Sequence, residues 1–377
     1  MTSPTDPEPE HQGTDAQRTG LGRRRALVVG TGLIGGSLGL ALRKRGWHVT
    51  GRDSDPARAR EALDRGVLDE VGDDPEAEMI FVAVPATAAG LEASRLLSDP
   101  SRRPDAVVTD VSSVKDEVVR AADHPRFVGG HPMAGSEQLG LQGADPDLFI
   151  GATWVLTPSP VTDPGAFSRA QEVVRSLGSE VVALSPQEHD RLVAVVSHVP
   201  HLVAATLMNA AASVGEEHAV LLRLAAGGFR DMTRVAAGHP GIWPDICADN
   251  GEAIVQAFDR LLVDLSRMRD LVRSSDREEI AQVLDRASVA RRALPTRATA
   301  PETLAELRIP VPDRTGVLAE ITTLAGESGV NIADFEIAHS TEGSGGILVL
   351  VVDASEADGL RRALSNRGYS CTVQELA

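Results

Sequence analysis

His131 is the residue of this sequence whose setting best suits acid–base chemistry. It follows the run Phe127-Val128-Gly129-Gly130 and precedes Pro132. The apolar run predicts a strand end, the paired glycines predict a turn that passes close to a ligand, and the proline favours extended backbone at the histidine. An imidazole at a strand end can transfer protons near neutral pH, although a surface turn explains the same residues taken alone.

A second stretch, beginning at Pro186, contains His189, His198 and His201, with Pro200 before the last of them. His189 and His201 are 12 residues apart, so an unbroken helix would place them on different faces, and Pro200 is expected to kink that helix. No two of these histidines are four residues apart, and no nearby carboxylate completes a familiar ligand set. We therefore predict no metal site.

Two arginines lie in the string Phe229-Arg230-Asp231-Met232-Thr233-Arg234, which precedes Trp243. A guanidinium binds a carboxylate through two parallel hydrogen bonds. The chain has 54 acidic and 37 basic residues and a formal charge of −17, so an anionic substrate would need such a local basic site. Structural pairing of either arginine with Asp231 or Asp245 explains the spacing equally well.

The composition argues against several classes of protein. The acidic balance disfavours nucleic acids and anionic membranes as partners. Cys247 and Cys371 lack redox or metal-ligand spacing, which fits a reducing cytoplasm. Apolar runs fall short of the roughly 18 residues of a membrane span, because the best candidates contain Pro85, or the histidines and proline at 198–201. We expect a cytoplasmic globular protein that binds neither nucleic acid nor membrane.

The elements that would position these residues begin with a strand, a glycine turn and a helix. Arg25–Val29 predicts a strand and leads into Gly30-Thr31-Gly32-Leu33-Ile34-Gly35. Such glycines allow a pyrophosphate to approach the helix N-terminus closely. Asp53 ends the next predicted strand, 18 residues after Gly35, and can bind a ribose 2′-hydroxyl. NAD is therefore favoured over NADP, with Arg52 as the feature that argues the other way and a surface turn as the alternative for Asp53.

Strands and helices continue to alternate until about residue 185. Strands are expected at 79–84, 106–111, 154–157 and 180–184, with helices between them, which is the pattern of a doubly wound parallel sheet. Ligands of such sheets bind beyond the carboxyl ends of the strands, where Val84, Pro85 and Ser113 fall. Ser113 would instead be structural if it were a helix N-cap.

The chain divides into a tail and three predicted domains. Residues 1–22 have almost nothing to bury and predict disorder, 23–185 form the Rossmann-type dinucleotide domain, 186–295 follow helical periodicity, and 302–377 predict the βαββαβ order of a ferredoxin-like domain. An apolar stripe in the helical domain predicts a long helix that packs on other helices or forms a dimer seam. It comprises Ile254, Phe258, Leu261, Leu265, Met268 and Leu271.

Residues 23–295 resemble the prephenate/arogenate dehydrogenases of tyrosine biosynthesis. The resemblance rests on the dinucleotide fingerprint, Asp53 and His189, and on three strings: Gly130-His131-Pro132-Met133-Ala134-Gly135-Ser136, His198-x-Pro200-His201 and Phe229-Arg230-Asp231-x-Thr233-Arg234. The C-terminal segment is similar to an ACT domain, a module that commonly binds amino acids at a paired interface. Its strings are Pro310-x-Pro312-Asp313-x-x-Gly316-Val317-Leu318 and Gly329-Val330-Asn331-Ile332.

The resemblance implies an NAD-dependent oxidative decarboxylation. A hydride leaves the ring carbon that bears the 4-hydroxyl, the hydroxyl proton is taken up, and the ring carboxylate departs as carbon dioxide. The substrate would be prephenate, giving 4-hydroxyphenylpyruvate, or arogenate, giving tyrosine; the sequence does not separate the two. A homodimer is expected, with tyrosine or phenylalanine as an effector bound around Asp313, Gly316 and Asn331.

The resemblance also implies residue roles. His131 would be the general base, Ser113 would orient the hydroxyl and the cofactor, and His189 would complete the catalytic set at the nicotinamide or carboxylate side. Arg234, preferred over Arg230, would hold a substrate carboxylate. The other implied substrate-binding positions are His201, which would support the arginine, and Asp231 and Trp243, which would shape or gate the pocket.

Two alternatives compete with this interpretation. A β-hydroxyacid dehydrogenase also joins a dinucleotide domain to a helical one, but such enzymes usually work with a lysine on the first long helix of the second domain. Residues 186–215 contain no lysine. A non-catalytic sensor of NAD and an amino acid would have no need of His131, Arg234 and the histidines of the second domain, so catalysis is favoured.

Overall fold

The computed structural model describes residues 23–135, 138, 140–217, 221–294, 304–312, 314–339 and 345–375. Some of the sequence-based expectations fall outside this part of the chain. They are the disordered tail at 1–22, Ser136 at the end of the histidine string, most of the predicted linker before residue 302, and Asp313.

The first domain is organised around one sheet. Its strands are β1 (Arg25–Val29), β2 (His48–Arg52), β3 (Glu70–Val71), β4 (Met79–Val82), β5 (Val107–Asp110), β6 (Phe127–Pro132), β7 (Thr153–Thr157) and β8 (Glu180–Ala183). They lie in the order β3-β2-β1-β4-β5-β6-β7-β8. Within the described strands β6 and β7 pair antiparallel, and the other neighbouring pairs are parallel. The doubly wound sheet is therefore confirmed, with one antiparallel pair that the sequence does not predict.

Helices cover both faces of this sheet. They are α1 (Leu33–Lys44), α2 (Pro56–Asp64), α3 (Ala86–Ser98), α4 (Asp116–Ala121) and α5 (Pro164–Ser176). Leu38, Leu42 and Trp154 belong to one buried apolar cluster, and Leu27, Ile80 and Phe127 belong to another. β4 and β5 are shorter than the predicted strands, because Val84 and Val111 already lie in the loops that lead to the next helices.

The paired glycines before His131 lie inside β6 and do not form the predicted turn. A Cβ at Gly130 would lie 2.7 Å from the carbonyl oxygen of Asp110, and one at Gly129 would overlap the hydroxyl of Thr157. Glycine is required here because β6 passes so close to its neighbours β5 and β7. His131 itself has the extended backbone that Pro132 predicts.

The second domain is helical, as predicted. Its helices are α6 (Pro186–Val193), α7 (Val199–Glu217), α8 (Gly227–Thr233), α9 (Trp243–Asp249), α10 (Gly251–Ser274) and α11 (Arg277–Arg292). A π-helical turn at Ala194–His198 joins α6 to α7. It ends two residues before Pro200, which lacks the N–H that a regular helix uses at that position. The disturbance expected from the proline thus takes the form of this π turn.

The helical domain buries a small apolar cluster and leaves much of α10 exposed. The cluster contains Ala194, Val199, Ile246 and Ile254. Farther along the predicted stripe Leu265 is 53 % exposed, and the neighbouring Leu262 and Val263 are 56 % and 69 % exposed. Exposed apolar side chains that cluster on a surface are typical of an interaction site.

The helical run Pro186–Gly215 is long and apolar enough, by length and composition, to cross a membrane. The expectation that its histidines and proline exclude this is therefore wrong. The run nevertheless packs on the first domain, because Asp190 accepts hydrogen bonds from the backbone N–H groups of Lys115 and Asp116, each at 2.8 Å. A buried carboxylate bonded in this way belongs to a protein interior.

The third domain has the predicted βαββαβ order. Its elements are β9 (Leu304–Pro312), α12 (Val317–Glu327), β10 (Ile332–His339), β11 (Gly345–Asp353), α13 (Ala354–Asn366) and β12 (Thr372–Glu375). The strands lie in the order β10-β11-β9-β12 and pair antiparallel. Leu307, Ile321 and Leu360 are part of its buried core.

Candidate active site

The predicted dinucleotide turn lies between β1 and α1. Gly30 has a φ of +95°, and a Cβ there would overlap the carbonyl oxygen of Ala83, so the position requires glycine. Gly32 is the N-cap of α1 and borders open space, and the described first turn of that helix carries no acidic side chain. Unpaired N–H groups at a helix start beside open space fit a pyrophosphate.

Asp53 lies directly after β2, beside this turn. Its carboxylate accepts hydrogen bonds from Thr31 N at 2.8 Å, from Thr31 Oγ1 at 3.1 Å and from Asp55 N at 3.0 Å. Burial raises the pKa of Asp53, but these hydrogen bonds outweigh burial and bring the pKa below its ordinary value. Because a carboxylate has about four lone-pair sites, Asp53 can hold the turn and still accept a ribose hydroxyl.

The neighbouring residues also fit NAD. Arg52 is already hydrogen-bonded to Glu92, and its Nε lies 3.8 Å from a carboxylate oxygen of Asp73. A guanidinium held by two carboxylates is less available to a 2′-phosphate. Val84 lies beside the glycine turn, and Pro85 is the N-cap of α3, so both follow β4 at the edge of the sheet where the cofactor is expected.

Three side chains join the first domain to the second. His131 Nδ1 lies 2.8 Å from His189 Nε2, and His189 Nδ1 lies 2.7 Å from Asp190 Oδ1. The two imidazole rings meet edge to face, with centroids 5.0 Å apart. His189 is 1 % and Asp190 6 % exposed, whereas His131 remains partly exposed at the end of β6. The site therefore presents one imidazole to a ligand and holds a second behind it.

A buried ion pair fixes the backbone directly before His131. Lys115 and Asp110 are each fully buried and are hydrogen-bonded to one another. Lys115 Nζ also donates to the carbonyl oxygen of Gly130 at 2.6 Å, and Asp110 Oδ1 accepts from Gly130 N at 3.1 Å. Both polar backbone groups of Gly130 are thus held by charged side chains, which is a rigid support for the next residue.

The surroundings of His131 favour its neutral form. Burial lowers its pKa most, and His189, Lys115 and His198 lower it further, to well below its ordinary value of 6.5. The sequence predicts instead an imidazole that titrates near the working pH, because nothing in the local pattern reveals its burial or the charged groups around it. A neutral imidazole is the form that accepts a proton.

Asn250 and His198 connect this group to Trp243. Asn250 Nδ2 donates to the backbone carbonyl of Asp190 at 2.8 Å and lies 3.2 Å from His198 Nδ1. The His198 ring meets Trp243 edge to face at 6.2 Å, and His201 stacks on Trp243 with ring centroids 3.7 Å apart. Two predicted residues, His201 and Trp243, are therefore linked to Asp190 through His198 and Asn250.

The two further histidines are less basic than usual. Burial lowers the pKa of His198 to about 4, although the nearby Asp190 carboxylate opposes this change. Burial also lowers the pKa of His201. Both rings are therefore neutral at pH 7, so they contribute hydrogen bonds and aromatic surface, and any anionic group must find its positive charge elsewhere.

The arginine string lies on an exposed part of the helical domain. Arg230, within α8, donates from Nε to a backbone carbonyl of the preceding loop at 3.2 Å. Arg234 begins the 3-10 turn after α8, and Asp231 is exposed in the same helix. Gly238 follows this turn beside His201, since a Cβ there would lie 3.7 Å from His201 Cε1. The turn that Arg234 begins thus packs next to His201.

Ser113 is not a helix N-cap, so that alternative is wrong. The N-cap of α4 is Lys115, two residues later. Ser113 lies in the loop after β5, and β5 runs parallel to the neighbouring β6 that carries His131. The carboxyl ends of parallel neighbours share one edge of a sheet, so Ser113 lies at the edge where the sequence predicts a ligand.

Four residues that hydrogen-bond around His131 and His189 are not among the site residues predicted from the sequence. They are Asp110, Lys115, Asp190 and Asn250. Each is a polar residue that is less than 9 % exposed. Burial of polar groups requires partners, so a polar residue inside an apolar stretch is the signal that could have identified them. Asp110, at the end of an apolar strand, carries that signal most clearly.

The expected effector residues lie in the third domain. Gly316 is the N-cap of α12 and has a φ of +89°, and Asn331 directly precedes β10. Near the same helix, Glu320 accepts hydrogen bonds from Arg314 at 2.6 Å and from the hydroxyl of Tyr369 at 2.9 Å. These polar groups lie at the amino-terminal end of α12.

Three family models match the chain. The nucleotide-binding domain of prephenate dehydrogenase matches residues 38–183, its dimerization domain matches residues 185–286, and the ACT domain matches residues 305–368. A prephenate dehydrogenase from Bacillus subtilis is 35 % identical over 337 residues, which cover 85 % of this chain and 90 % of that protein.

Two solved structures are similar to the first two domains. The prephenate dehydrogenase from Aquifex aeolicus, in complex with hydroxyphenyl propionate and NAD+, is 30 % identical with a TM-score of 0.68, covering 74 % of this chain and 100 % of that one. The arogenate dehydrogenase from Synechocystis is 32 % identical with a TM-score of 0.63, covering 71 % and 98 %.

Proposed function

The chain belongs to the prephenate dehydrogenase family of NAD-dependent oxidoreductases, and we propose that it converts prephenate to 4-hydroxyphenylpyruvate by oxidative decarboxylation. The observation that carries the proposal is the hydrogen-bonded chain His131–His189–Asp190 at the cofactor edge of the sheet. It offers a neutral imidazole where the 4-hydroxyl of a ring substrate would lose its proton. NAD, when bound at this edge, would supply the hydride acceptor.

His131 acts as the general base in this mechanism. The hydroxyl O–H bond breaks and its proton moves to the imidazole, while the C–H bond at the same ring carbon breaks with loss of a hydride. The C–C bond to the ring carboxylate then breaks and carbon dioxide leaves. The electron pair of that bond moves through the ring, which becomes aromatic, to the oxygen, and the oxygen takes the proton back from His131 to give the product hydroxyl. Aromatisation supplies the driving force, so the task of the protein is to place base and substrate correctly.

The contacts of Gly130 support the placement of this base. Lys115 and Asp110 hold both of its backbone groups, and His189 holds the ring of His131. A base fixed in this way needs little reorganisation during the reaction. We assign Ser113, in the loop at the same sheet edge, to orienting the hydroxyl and the cofactor.

We assign a substrate carboxylate to Arg234. Arg230 is supported by a backbone carbonyl, whereas the turn that Arg234 begins packs next to His201, which stacks on Trp243. The neutral ring of His201 and the ring of Trp243 would then contact the apolar part of the substrate, while Arg234 supplies the positive charge that binds its carboxylate. Asp231, in the helix before this turn, would gate access to it.

The assay that tests this function follows the NADH absorbance band with prephenate and arogenate, each with NAD and with NADP. We expect the highest kcat/KM with prephenate and NAD. Arogenate is the second candidate, because the Synechocystis relative is an arogenate dehydrogenase. A higher kcat/KM with arogenate would assign that substrate, and an absence of turnover with both would refute the proposal.

We also propose that the enzyme is a homodimer joined through α10. The support is the group of exposed apolar side chains Leu262, Val263 and Leu265 on α10, together with the match to a dimerization domain. Replacing Leu265 with Asp should convert dimer to monomer in sedimentation experiments. Leu91, which is 72 % exposed on α3, provides the matched control: Leu91→Asp should remain dimeric. A wild-type monomer would contradict this assembly.

We also propose that an aromatic amino acid regulates the enzyme and that the enzyme is cytoplasmic. The match to an ACT domain supports tyrosine, or else phenylalanine, as an effector near Gly316 and Asn331. Isothermal titration with each amino acid tests this, and an absence of binding heat for both would leave the domain with a role in assembly alone. The two cysteines, Cys247 and Cys371, are free thiols, which supports a reducing cytoplasm.

A further inference from the structure

We propose that Asp190 is a positioning residue that fixes the proton positions on both histidines and thereby makes Nε2 of His131 the basic atom. The inference rests on the proposed function for its chemical meaning. The Asp190 carboxylate, on α6 of the second domain, contacts both the start of α4 in the first domain and the ring of His189.

Three donors converge on the two oxygens of this carboxylate. Oδ1 accepts from Lys115 N and Oδ2 accepts from Asp116 N, each at 2.8 Å, while Oδ1 also faces His189 Nδ1 at 2.7 Å. The side chain of the α4 N-cap, Lys115, makes no capping hydrogen bond, so Asp190 supplies the acceptor for that helix start. The backbone N–H groups can only donate, and an ionised carboxylate can only accept.

These hydrogen bonds determine which nitrogen of each histidine ring carries a proton. Since the oxygen of Asp190 accepts, the facing Nδ1 of His189 must carry its proton. With a single proton on the His189 ring, its other nitrogen, Nε2, is an acceptor, so His131 Nδ1 at 2.8 Å must be the donor. The lone pair of neutral His131 is therefore on Nε2, which is the nitrogen left to receive the hydroxyl proton.

The same chain stabilises the product of proton transfer. When the substrate O–H bond breaks and an N–H bond forms at His131 Nε2, the ring becomes positively charged. Its Nδ1–H bond to His189 then becomes charge-assisted, and His189 is in turn bonded to the negative Asp190. This matters because the buried Lys115 cation lies close by and opposes a positive charge on His131.

The decisive experiment combines histidine NMR with kinetics. Long-range 1H–15N correlation spectra of histidine-labelled wild type, assigned with His131→Asn and His189→Leu, should show both rings protonated at Nδ1 and unprotonated at Nε2. His131 protonated at Nε2 in the wild type would overturn the proposal without any variant of Asp190. This readout does not depend on turnover, so it separates a failure of the inference from a failure of the proposed function.

The kinetic arm uses Asp190→Asn, whose amide offers one acceptor oxygen to three donors. We expect kcat to fall about 100-fold or more while KM changes little, and the His131 tautomer to shift. Asp116→Asn makes the same chemical change at the same helix contact without touching a histidine, and it should keep wild-type kcat. Wild-type kcat in Asp190→Asn would refute the role.

A background lacking His189 distinguishes positioning from simple structural support. In His189→Leu the path from residue 190 to His131 is gone, so Asp190→Asn should cost no more than about a twofold further loss of kcat. An equal fold-loss in both backgrounds would mean that Asp190 only holds α4 against α6, and it would overturn the proposal.

Discussion

His131 lies against His189 and Lys115, which are at most 1 % exposed, whereas the arginine string carries Met232 at 63 % exposure and is followed by Ile242 at 62 %. The histidine half of the candidate site is therefore built from buried, mutually bonded groups inside one chain. The arginine half lies on a surface that also exposes apolar side chains. We infer that the first half is preorganised for chemistry and that the second stays accessible to an anionic substrate.

The two halves of the site also differ in how their charges are placed. In the buried half the cation Lys115 is matched by Asp110, and His198 is kept neutral by burial. In the exposed half the guanidinium of Arg234 can attract an anion without a large desolvation cost. A division of this kind predicts that variants of the two halves change different kinetic constants.

The largest expected effect is on kcat, from the substitution His131→Asn. Loss of the general base should lower kcat by about 100-fold or more and leave KM nearly unchanged, because substrate binding uses the other half. Steady-state kinetics with NAD measures both constants. His124→Asn, the same change at a histidine whose Nδ1 accepts from Arg126 N, is the control and should behave as wild type. Wild-type turnover in His131→Asn would show that another group is the base.

Acid should destabilise the buried half. The folded pKa of His198 is about 4 against an ordinary 6.5, so between these values the unfolded chain binds more protons than the folded one. The free energy of unfolding therefore falls as the pH drops through this window, by about 3 kcal/mol from this residue. Denaturant titrations at pH 7 and pH 4 should show that loss, and His198→Asn should reduce it. An identical pH dependence in both proteins would contradict this explanation.

Replacement of Arg234 tests the exposed half. Arg234→Gln should raise KM by about 10-fold to 100-fold with little change in kcat, because a charge-assisted carboxylate contact is lost. Arg230→Gln, the matched change one helical turn earlier, should raise KM less. If Arg230→Gln raised KM and Arg234→Gln did not, the carboxylate would be assigned to Arg230.

The smallest expected effect concerns cofactor choice. Asp53→Ser removes the carboxylate that would repel a 2′-phosphate and bind a 2′-hydroxyl, so the preference for NAD over NADP should fall by about 10-fold. The ratio of the two kcat/KM values measures it. Thr31→Val, which keeps the carboxylate and removes one of its hydrogen bonds, should change the ratio less. An unaltered preference in Asp53→Ser would mean that the 2′-hydroxyl is recognised elsewhere.

The parts of the fold that the sequence predicts are those that local patterns determine. The unit from β1 through the glycine turn to Asp53 follows from residue spacing within about 30 positions. The βαββαβ order of the third domain follows from the same kind of pattern. Periodicity also identifies the helical domain, because its helices repeat apolar residues regularly.

The residues that escaped prediction depend on contacts between distant parts of the chain. Gly129 and Gly130 suggest a turn locally, but neighbouring strands determine why they are glycine. Lys115 reaches Gly130 from 15 positions away, and Asn250 reaches Asp190 from 60. Such distant partners leave no periodic trace, so a single sequence reveals them only as polar residues in apolar surroundings.

A double-mutant cycle of His131→Asn and Arg234→Gln tests most directly whether the two halves act independently. If chemistry belongs to the buried half and carboxylate binding to the exposed half, the fold-losses in kcat/KM should multiply to within about twofold. A double variant no worse than His131→Asn alone would contradict the account, because it would mean that Arg234 acts only through the base.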